Sequence, residues 1–496
     1  MKLNNYYLLF VLLFSGQIIN AQDRPNILLV MAEDISTDLA CYGMEAVKTP
    51  TFDRLAEEGI KYTNCIGTNS ICSPSRSALM VGVHQNITNA QNHRSNRNTP
   101  LDKKFVPITK LLQDVGYKTI IGNENVFTKG EKIDCNFKFK PVGTYDGVNN
   151  FGLFNVKSAK TEDKEKPFFA QVQLKVTHRG NWWNDIRNKS THPVDPKDIV
   201  LPPFMADTPE IRVDWATYLD QIEYADSEMQ LLLDELKENG TYNNTIIIFI
   251  GDNGRCNVRG KGYVFDSGLR IPLIVWYPKA YKGGEVDDQL VTFSDLSATI
   301  LSLAGAELPT YATGTSIFDK EERTYVYSAR DIWDEIEDRS RAITTKRYKY
   351  IKNYFADVPY DAHQAYLEYN RPAVHVMRKL NKEGKLDAYQ SVFFASTKDK
   401  EALYDLKKDP HELHNLINDK KYKKIGDQLK GYMAEWQNEY TDRGFENSKP
   451  EAPKSVAFVA FLKTELPNVW AALEEGKVVD LSDAQAVFKT RNKKVK

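Results

Sequence analysis

Apolar residues are distributed along this chain in two patterns. The first is a set of short unbroken runs bounded by polar or turn residues: Asn26–Met31 (NILLVM), Tyr117–Ile121, Phe168–Val176 (FFAQVQLKV), Thr245–Ile250 (TIIIFI) and Ile271–Tyr277 (IPLIVWY). Runs of this length with no polar alternation predict strands covered on both faces, as in a parallel sheet. The second is a recurrence at spacings of three and four: Trp215, Leu219, Ile222, Ala225, Met229, Leu232 and Leu236. These share one face of a helix, and Gly240 is a natural stop. Thr51–Glu58 and Ile108–Val115 also read as helical, the latter ending at the turn residue Gly116. Strands alternating with helices predict an α/β fold with a mainly parallel sheet between helices. Ligands of such sheets gather beyond the carboxyl ends of the strands.

The pattern changes near residue 346. Lys346–Asn353 (KRYKYIKN) alternates charged and apolar residues, which predicts an exposed antiparallel strand, and charged helical segments follow. This gives a division into residues 22–345 and a smaller C-terminal α+β subdomain over 346–496. At the other end, Lys2 precedes nine consecutive apolar residues, Tyr6–Phe14, and a more polar stretch closes at Ala21. Nine residues fall short of the roughly 20 that span a bilayer as a helix. The segment reads as a signal peptide over 1–21, which predicts a periplasmic or secreted protein. No later stretch is apolar and long enough for a membrane span.

Composition narrows the function classes. Sixty-six Lys and Arg against 67 Asp and Glu give a net charge of −1 over 496 residues, which excludes a broad electrostatic surface for nucleic acid. Five cysteines (41, 65, 72, 135 and 256) are too few and too scattered for a disulfide framework, and an odd number leaves at least one thiol without an intramolecular partner.

Cys72 is the thiol with a chemical context. It opens Cys72-Ser73-Pro74-Ser75-Arg76, followed by Ser77-Ala78-Leu79-Met80-Val81-Gly82. Ser73 and Pro74 predict a capped helix start, with Cys72 just before it, where backbone N–H groups and the helix dipole favour an anion. Arg76 lies one turn on.

The segment resembles the signature of the type I sulfatases, members of the alkaline phosphatase superfamily, in which the cysteine is oxidised by a maturation enzyme to formylglycine. Cys72, Pro74, Ser75, Arg76, Leu79 and Gly82 match, and Val81 stands in place of the usual Thr. Other parts of the pattern recur. Ala32-Glu33-Asp34 follows the first strand and resembles the family's Asp-Asp metal pair, with Glu33 longer by one methylene. Gly251-Asp252-Asn253-Gly254 follows a later strand and resembles its second pair. The resemblance thus implies Glu33, Asp34, Asp252, Asn253 and residue 72 as metal ligands. Oxygen donors of this kind suit Ca²⁺. It also implies that Lys261 contacts the sulfate and His178 faces the leaving group. Arg270, within Asp266-Ser267-Gly268-Leu269-Arg270-Ile271-Pro272, is implied in substrate binding. Leu403-Tyr404-Asp405-Leu406, Asp409-Pro410 and Asn415-Leu416 resemble the family's C-terminal signature, so the likeness runs from about residue 24 to about 416.

One departure bears on mechanism. Where the family carries Gly-Lys-x-His, this chain has Gly122-Asn123-Glu124-Asn125, and neither Asn supplies a charge or a proton relay. Lys129, His84 and His93 are the nearby candidates to fill the gap. The reading is an exported sulfatase acting on sulfated polysaccharides or their oligosaccharides, algal such as ulvan or glycosaminoglycan. The alternatives are an N-sulfoglucosamine sulfohydrolase-type sulfamidase, a phosphodiesterase or phosphonate monoester hydrolase of the same superfamily, and a glycan-binding protein that has lost catalysis.

Overall fold

The computed structural model describes residues 24–147, 151–158, 166–279, 283–319, 322–446 and 454–494. The expected signal peptide lies outside these residues. The central sheet holds Asn26–Ala32 (β1), Ile60–Ile66 (β2), Lys118–Ile121 (β3), Val156–Lys157 (β4), Phe168–Leu174 (β5), Thr245–Gly251 (β6), Arg270–Trp276 (β7) and Glu285–Val291 (β8), in the order β8-β2-β7-β6-β1-β5-β3-β4. Only β7 runs antiparallel to its neighbours; the other pairings are parallel.

Both faces of the sheet are covered, which is why its strands read as continuous apolar runs. Along β1, Leu28, Val30 and Ala32 join one core and Ile27, Leu29 and Met31 the other. β6 does the same with Ile247 and Phe249 against Ile246, Ile248 and Ile250. Cys72–Val81 (α1) and Phe293–Leu303 (α3) cover the second face, and Pro209–Glu238 (α2) covers the first. The start of α2 follows from its sequence. The Thr208 hydroxyl accepts from the Ile211 N–H, and Pro209 occupies the first turn, where its missing N–H costs nothing. Gly240 follows the helix at φ +67°, its N–H donating to the Lys237 carbonyl.

A second sheet is antiparallel throughout: Val326–Arg330 (β9), Ser340–Thr344 (β10), Tyr348–Asn353 (β11) and Glu401–Asp405 (β12) pair in chain order. Lys423–Glu439 (α4) lies on it, and Tyr327, Ile343, Tyr350, Leu403, Met433 and Trp436 share the core between them. The expectation of an exposed strand over 346–353 is corrected here. β11 is an inner strand, and Lys349 is fully buried against the carboxylates of Asp266 and Glu412. On one face Lys349 meets these two carboxylates beside Ile351, which joins the core of the larger sheet, and on the other Tyr350 joins the core under α4. The sheet also begins at β9, ahead of residue 346. Beyond 440, three helices, Lys454–Glu465, Pro467–Glu474 and Ser482–Lys494, close a small core of their own around Phe458, Phe461, Leu462 and Trp470. Among the described residues no single helix is long and apolar enough to cross a membrane.

Candidate active site

Three neighbouring strands, β5, β1 and β6, end side by side, and backbone bonds lace the turns beyond them. Glu33 N–H donates to the Leu174 carbonyl (3.2 Å), Asp252 N–H to that of Ala32 (3.0 Å), and Ile35 N–H to that of Asn253 (3.0 Å). This lacing brings Glu33, Asp34, Asp252 and Asn253 together, all with essentially no exposure. Asp34 sits at φ +50°, a left-handed conformation that Asp and Asn tolerate better than other side chains.

Helix α1 brings the remaining groups from the other side. It starts at Cys72 itself, two residues earlier than Ser73 as cap would require. The reason is Asn69, whose side-chain oxygen accepts from the Ile71 N–H (2.9 Å) and whose carbonyl accepts from the Ser75 hydroxyl (2.8 Å). The entry turn is thereby organised without Ser73, whose hydroxyl is buried and unpartnered. Cys72 Sγ lies 3.9 Å from Asp34 Oδ1. Burial pushes this thiol up to about 12. Arg76 reaches across to Asp252 Oδ2 through Nε (3.0 Å) and Nη2 (2.7 Å), and to Gln173 Oε1 of β5 (2.6 Å).

Two ammonium groups reach the acids at the end of β1. Lys261 Nζ is 2.7 Å from Asp34 Oδ1. Lys132 Nζ is bonded to Glu33 Oε2. Burial works to raise the Asp34 carboxyl, but Lys261, with His178 and the Asn253 amide, outweighs it and holds the group well below the carboxylate range. Burial pushes Asp252 up, and the nearby Asp34 and Glu33 add to that rise against the pull of Arg76.

His178 completes the cluster. Its Nδ1 is 2.9 Å from the Arg179 carbonyl, so that nitrogen carries a proton. Nε2 meets the Tyr366 hydroxyl at 3.1 Å and stands 3.9 Å from both Glu33 Oε2 and Asp34 Oδ2. Burial lowers this ring to about 4 despite the two acids.

Of the residues singled out in the sequence, eight meet here: Glu33, Asp34, Cys72, Arg76, His178, Asp252, Asn253 and Lys261. Arg270 does not join them. It binds Asp266 Oδ2 (2.7 Å), the Thr63 carbonyl and Asn64 Oδ1, at the start of β7. Nor do two of the candidates for the missing Lys and His. Lys129 is exposed and paired with Glu124, and His84 packs against Tyr327 and Trp436 under the second sheet. His93 is buried beside Trp333 with Nδ1 unpartnered. Lys132, Gln173 and Tyr366 were not legible. Lys132 lies in an aperiodic stretch, Gln173 inside a strand, and Tyr366 on the short helix Ala365–Asn370, remote in sequence from His178.

The donor set fits a hard cation. Glu33 Oε1, Asp34 Oδ2 and Asn253 Oδ1 are buried oxygens with no hydrogen-bond partner, on residues from two adjacent turns. Buried acceptors left unpaired are costly, and a divalent ion held between the two turns would give them a partner.

A family model described as Sulfatase matches residues 25–306, and one described as N-sulphoglucosamine sulphohydrolase, C-terminal, matches 254–364 and 357–439. The chain is 28% identical over 460 residues to an ulvan-active sulfatase of Formosa agariphila, covering 84% of this chain and 75% of the relative. It is 26% identical over 471 residues to the human N-sulphoglucosamine sulphohydrolase, covering 84% and 91%. A solved structure of a protein in complex with its substrate D-glucosamine-2-N,6-O-disulfate superimposes with TM-score 0.58 at 18% identity, covering 86% of this chain and all of that one. The fold is shared.

Proposed function

We propose, from the premise that this chain belongs to the sulfatase family and is a sulfuric ester hydrolase, that it is an exported enzyme removing sulfate from polysaccharides or their oligosaccharides, with ulvan and glycosaminoglycan fragments as the substrate classes. The observation that carries this reading is the convergence of Cys72, Arg76 and Lys261 on one buried group of acids and the Asn253 amide, with three unpartnered oxygens among them. Cations beside a nucleophile position are what an attack on a sulfate ester requires, because the ester's oxygens gain charge as the bond to the leaving group breaks.

Under this reading residue 72 carries formylglycine, which when hydrated supplies one hydroxyl to attack sulfur and a second whose deprotonation releases sulfate. Glu33, Asp34, Asp252 and Asn253 would hold calcium, which supplies positive charge to the sulfuryl oxygens. Arg76, held by Asp252 and Gln173, keeps its charge in place without a reorganisation cost. Lys261 adds a second fixed cation beside residue 72. His178 is placed to protonate the departing alcohol: the Arg179 carbonyl holds the imidazole so that Nε2, beside the Tyr366 hydroxyl, faces the site, and Nε2 takes up a proton, against the cost of burial, before giving it to the leaving oxygen.

The test is to produce the protein with a formylglycine-generating enzyme and offer it sulfated ulvan and glycosaminoglycan oligosaccharides alongside an aryl sulfate and an aryl phosphodiester. Sulfate release from the oligosaccharides, with residue 72 found as the aldehyde by peptide mass spectrometry, is the expected result. Full turnover with only unmodified cysteine would overturn the mechanism, and preference for the phosphodiester would overturn the substrate class.

A further inference from the structure

We propose that Lys132 is the cation that binds the sulfuryl oxygens in place of the lysine this chain lacks at Asn123. The inference deepens the sulfatase reading and rests on it.

The segment after β3 divides into two halves with different allegiances. The first turns away from the site. Asn123 and Asn125 both donate to Glu235 Oε2 of α2, each at 2.8 Å, and so are spent on the outside of the sheet. The second half returns and is laced to α1, the helix that carries Cys72. Arg76 Nη1 reaches the Lys132 carbonyl (3.4 Å), Cys135 Sγ donates to the Arg76 carbonyl (3.7 Å), and Asn136 N–H donates to the Ser77 hydroxyl (2.8 Å). Asn136 is fixed in turn by the Asn92 carbonyl and the Asn96 N–H. Three contacts to Arg76 and Ser77 of α1 therefore fix where the Lys132 backbone sits relative to Cys72.

The side chain then points into the acids. Its ammonium bonds to Glu33 Oε2 and lies 3.6 Å from Asp134 Oδ2. Asp134 is itself clamped by Arg94, through Nε (3.0 Å) and Nη2 (2.9 Å), and by Arg97. Asp134 thus has its charge satisfied from outside and serves Lys132 as a positioning residue. The Lys132 side chain is a fifth exposed, whereas that of Lys261 is almost fully buried. Lys132 is consequently the site cation with access to an arriving anion. A lysine suits the role because its three donors rotate freely and one can stay on Glu33 while another meets a sulfate oxygen.

The experiment compares the parent with Lys132→Ala, Lys132→Arg and, as a geometric control, Lys132→Ala/Asn123→Lys. Each is assayed on an aryl sulfate and a sulfated oligosaccharide, with bound calcium and formylglycine content measured. Inorganic sulfate binding is measured separately by calorimetry on protein with unmodified Cys72. Loss of one preorganised donor to a developing anion typically costs about 10²–10³-fold in rate. Lys132→Ala should therefore lose about that factor on both substrates alike, keep its calcium and aldehyde, and bind sulfate about tenfold more weakly or worse. Lys132→Arg should bind sulfate close to the parent, and Asn123→Lys should rescue nothing, because residue 123 faces Glu235. Parental rate and sulfate affinity in Lys132→Ala would overturn the proposal. So would activity restored to Lys132→Ala by added calcium, which would make Lys132 only a support for Glu33. If the parent itself hydrolyses no sulfate ester, the functional reading fails, and the sulfate titration still decides Lys132.

Discussion

Asp252 holds two jobs in one carboxylate. One oxygen accepts the Asp34 N–H at 2.9 Å, which fixes the left-handed turn after β1, and the other takes both arms of Arg76. Removing it by Asp252→Ala leaves a guanidinium buried without its partner, and breaking a buried pair from one side costs about 3–5 kcal/mol. The expected result is a marked fall in the thermal midpoint together with loss of bound calcium and of sulfate-ester hydrolysis. Unchanged calcium content and rate would remove Asp252 from the site. His178 makes a different prediction. A sugar alkoxide leaves poorly and needs a proton, whereas a nitrophenolate leaves readily. His178→Ala should lose about 10²–10⁴-fold on sulfated sugars and far less on aryl sulfate. Equal losses would make His178 a binding residue. Tyr366→Phe, which keeps the ring and drops the hydroxyl on Nε2, should shift in the same direction by less. The convergence of site residues was legible wherever a residue follows a buried strand or sits in a spaced motif, as Glu33, Asp34, Asp252 and Cys72 do. Lys132 and Tyr366 escaped because nothing local marks them: their positions depend on tertiary lacing to α1 and on the 178 loop.

The elements were legible in proportion to how evenly they are buried. β1 and β6, covered on both faces, stand out as unbroken apolar runs, and α2 as a clean helical stripe. β11 was misplaced at the surface because Lys349 is a charge buried against charges, a contact that alternation alone reads as water. Helix α1 starts two residues before the position that Ser73 as cap predicts, because Asn69, rather than Ser73, organises its entrance. The loop leaving α1 carries a consequence for pH. His84 lies under the second sheet, its ring 4.8 Å from that of Trp436 and 5.4 Å from that of Tyr327, and Nδ1 accepts from the Asn86 N–H (3.2 Å). Burial lowers it to about 3, with Asp442 pulling the other way and Arg341 and Arg323 adding to the fall. The unfolded chain takes up this proton near 6.5 while the folded one refuses it until about 3. Stability from this residue is thus complete above 6.5 and is lost as pH falls, by about 1.4 kcal/mol per pH unit inside that window. Acidification from pH 6.5 to 4.5 should destabilise the parent more steeply than His84→Gln, read as the slope of thermal midpoint against pH. Parallel slopes would show that His84 is already protonated in the fold.

At the scale of the whole molecule, the two sheets are joined by buried charge as much as by apolar contact. Lys349 of β11 reaches Asp266 and Glu412, and Asp266 also holds Arg270 at the start of β7. Arg341 of β10 is fully buried between Asp331 (2.9 Å) and Asp442 (2.6 Å), and Asn86, from the loop after α1, donates to the same two acids. Tyr327 of β9 stacks on Trp436 of α4 with ring centroids 3.7 Å apart. A cut at the texture change between 345 and 346 would sever Lys349 from Asp266, Arg341 and Asn86 from Asp442, and Tyr327 from Trp436. It would leave β9 and β10 with an open edge where β11 had paired, Arg341 without Asp442, and Asp266 without Lys349. An unpaired strand edge invites association, and a buried charge stripped of its partner is strongly destabilising. Residues 22–345 produced alone should therefore be insoluble or lack a cooperative thermal transition, and should hydrolyse no aryl sulfate. The matching chain ending at 446 keeps Asp442, Trp436 and Lys349, and its two sheets should remain folded together without the last three helices. That C-terminal segment touches the stretch that follows His178, through Asn181 with Gln485 and Leu481 and through Asn184 with the Val478 carbonyl. Its removal should thus lower turnover on sulfated sugars more than on aryl sulfate. A soluble, cooperatively unfolding 22–345 fragment with parental aryl sulfatase activity would instead show that the two parts are separable domains and that the buried ion pairs between them are dispensable.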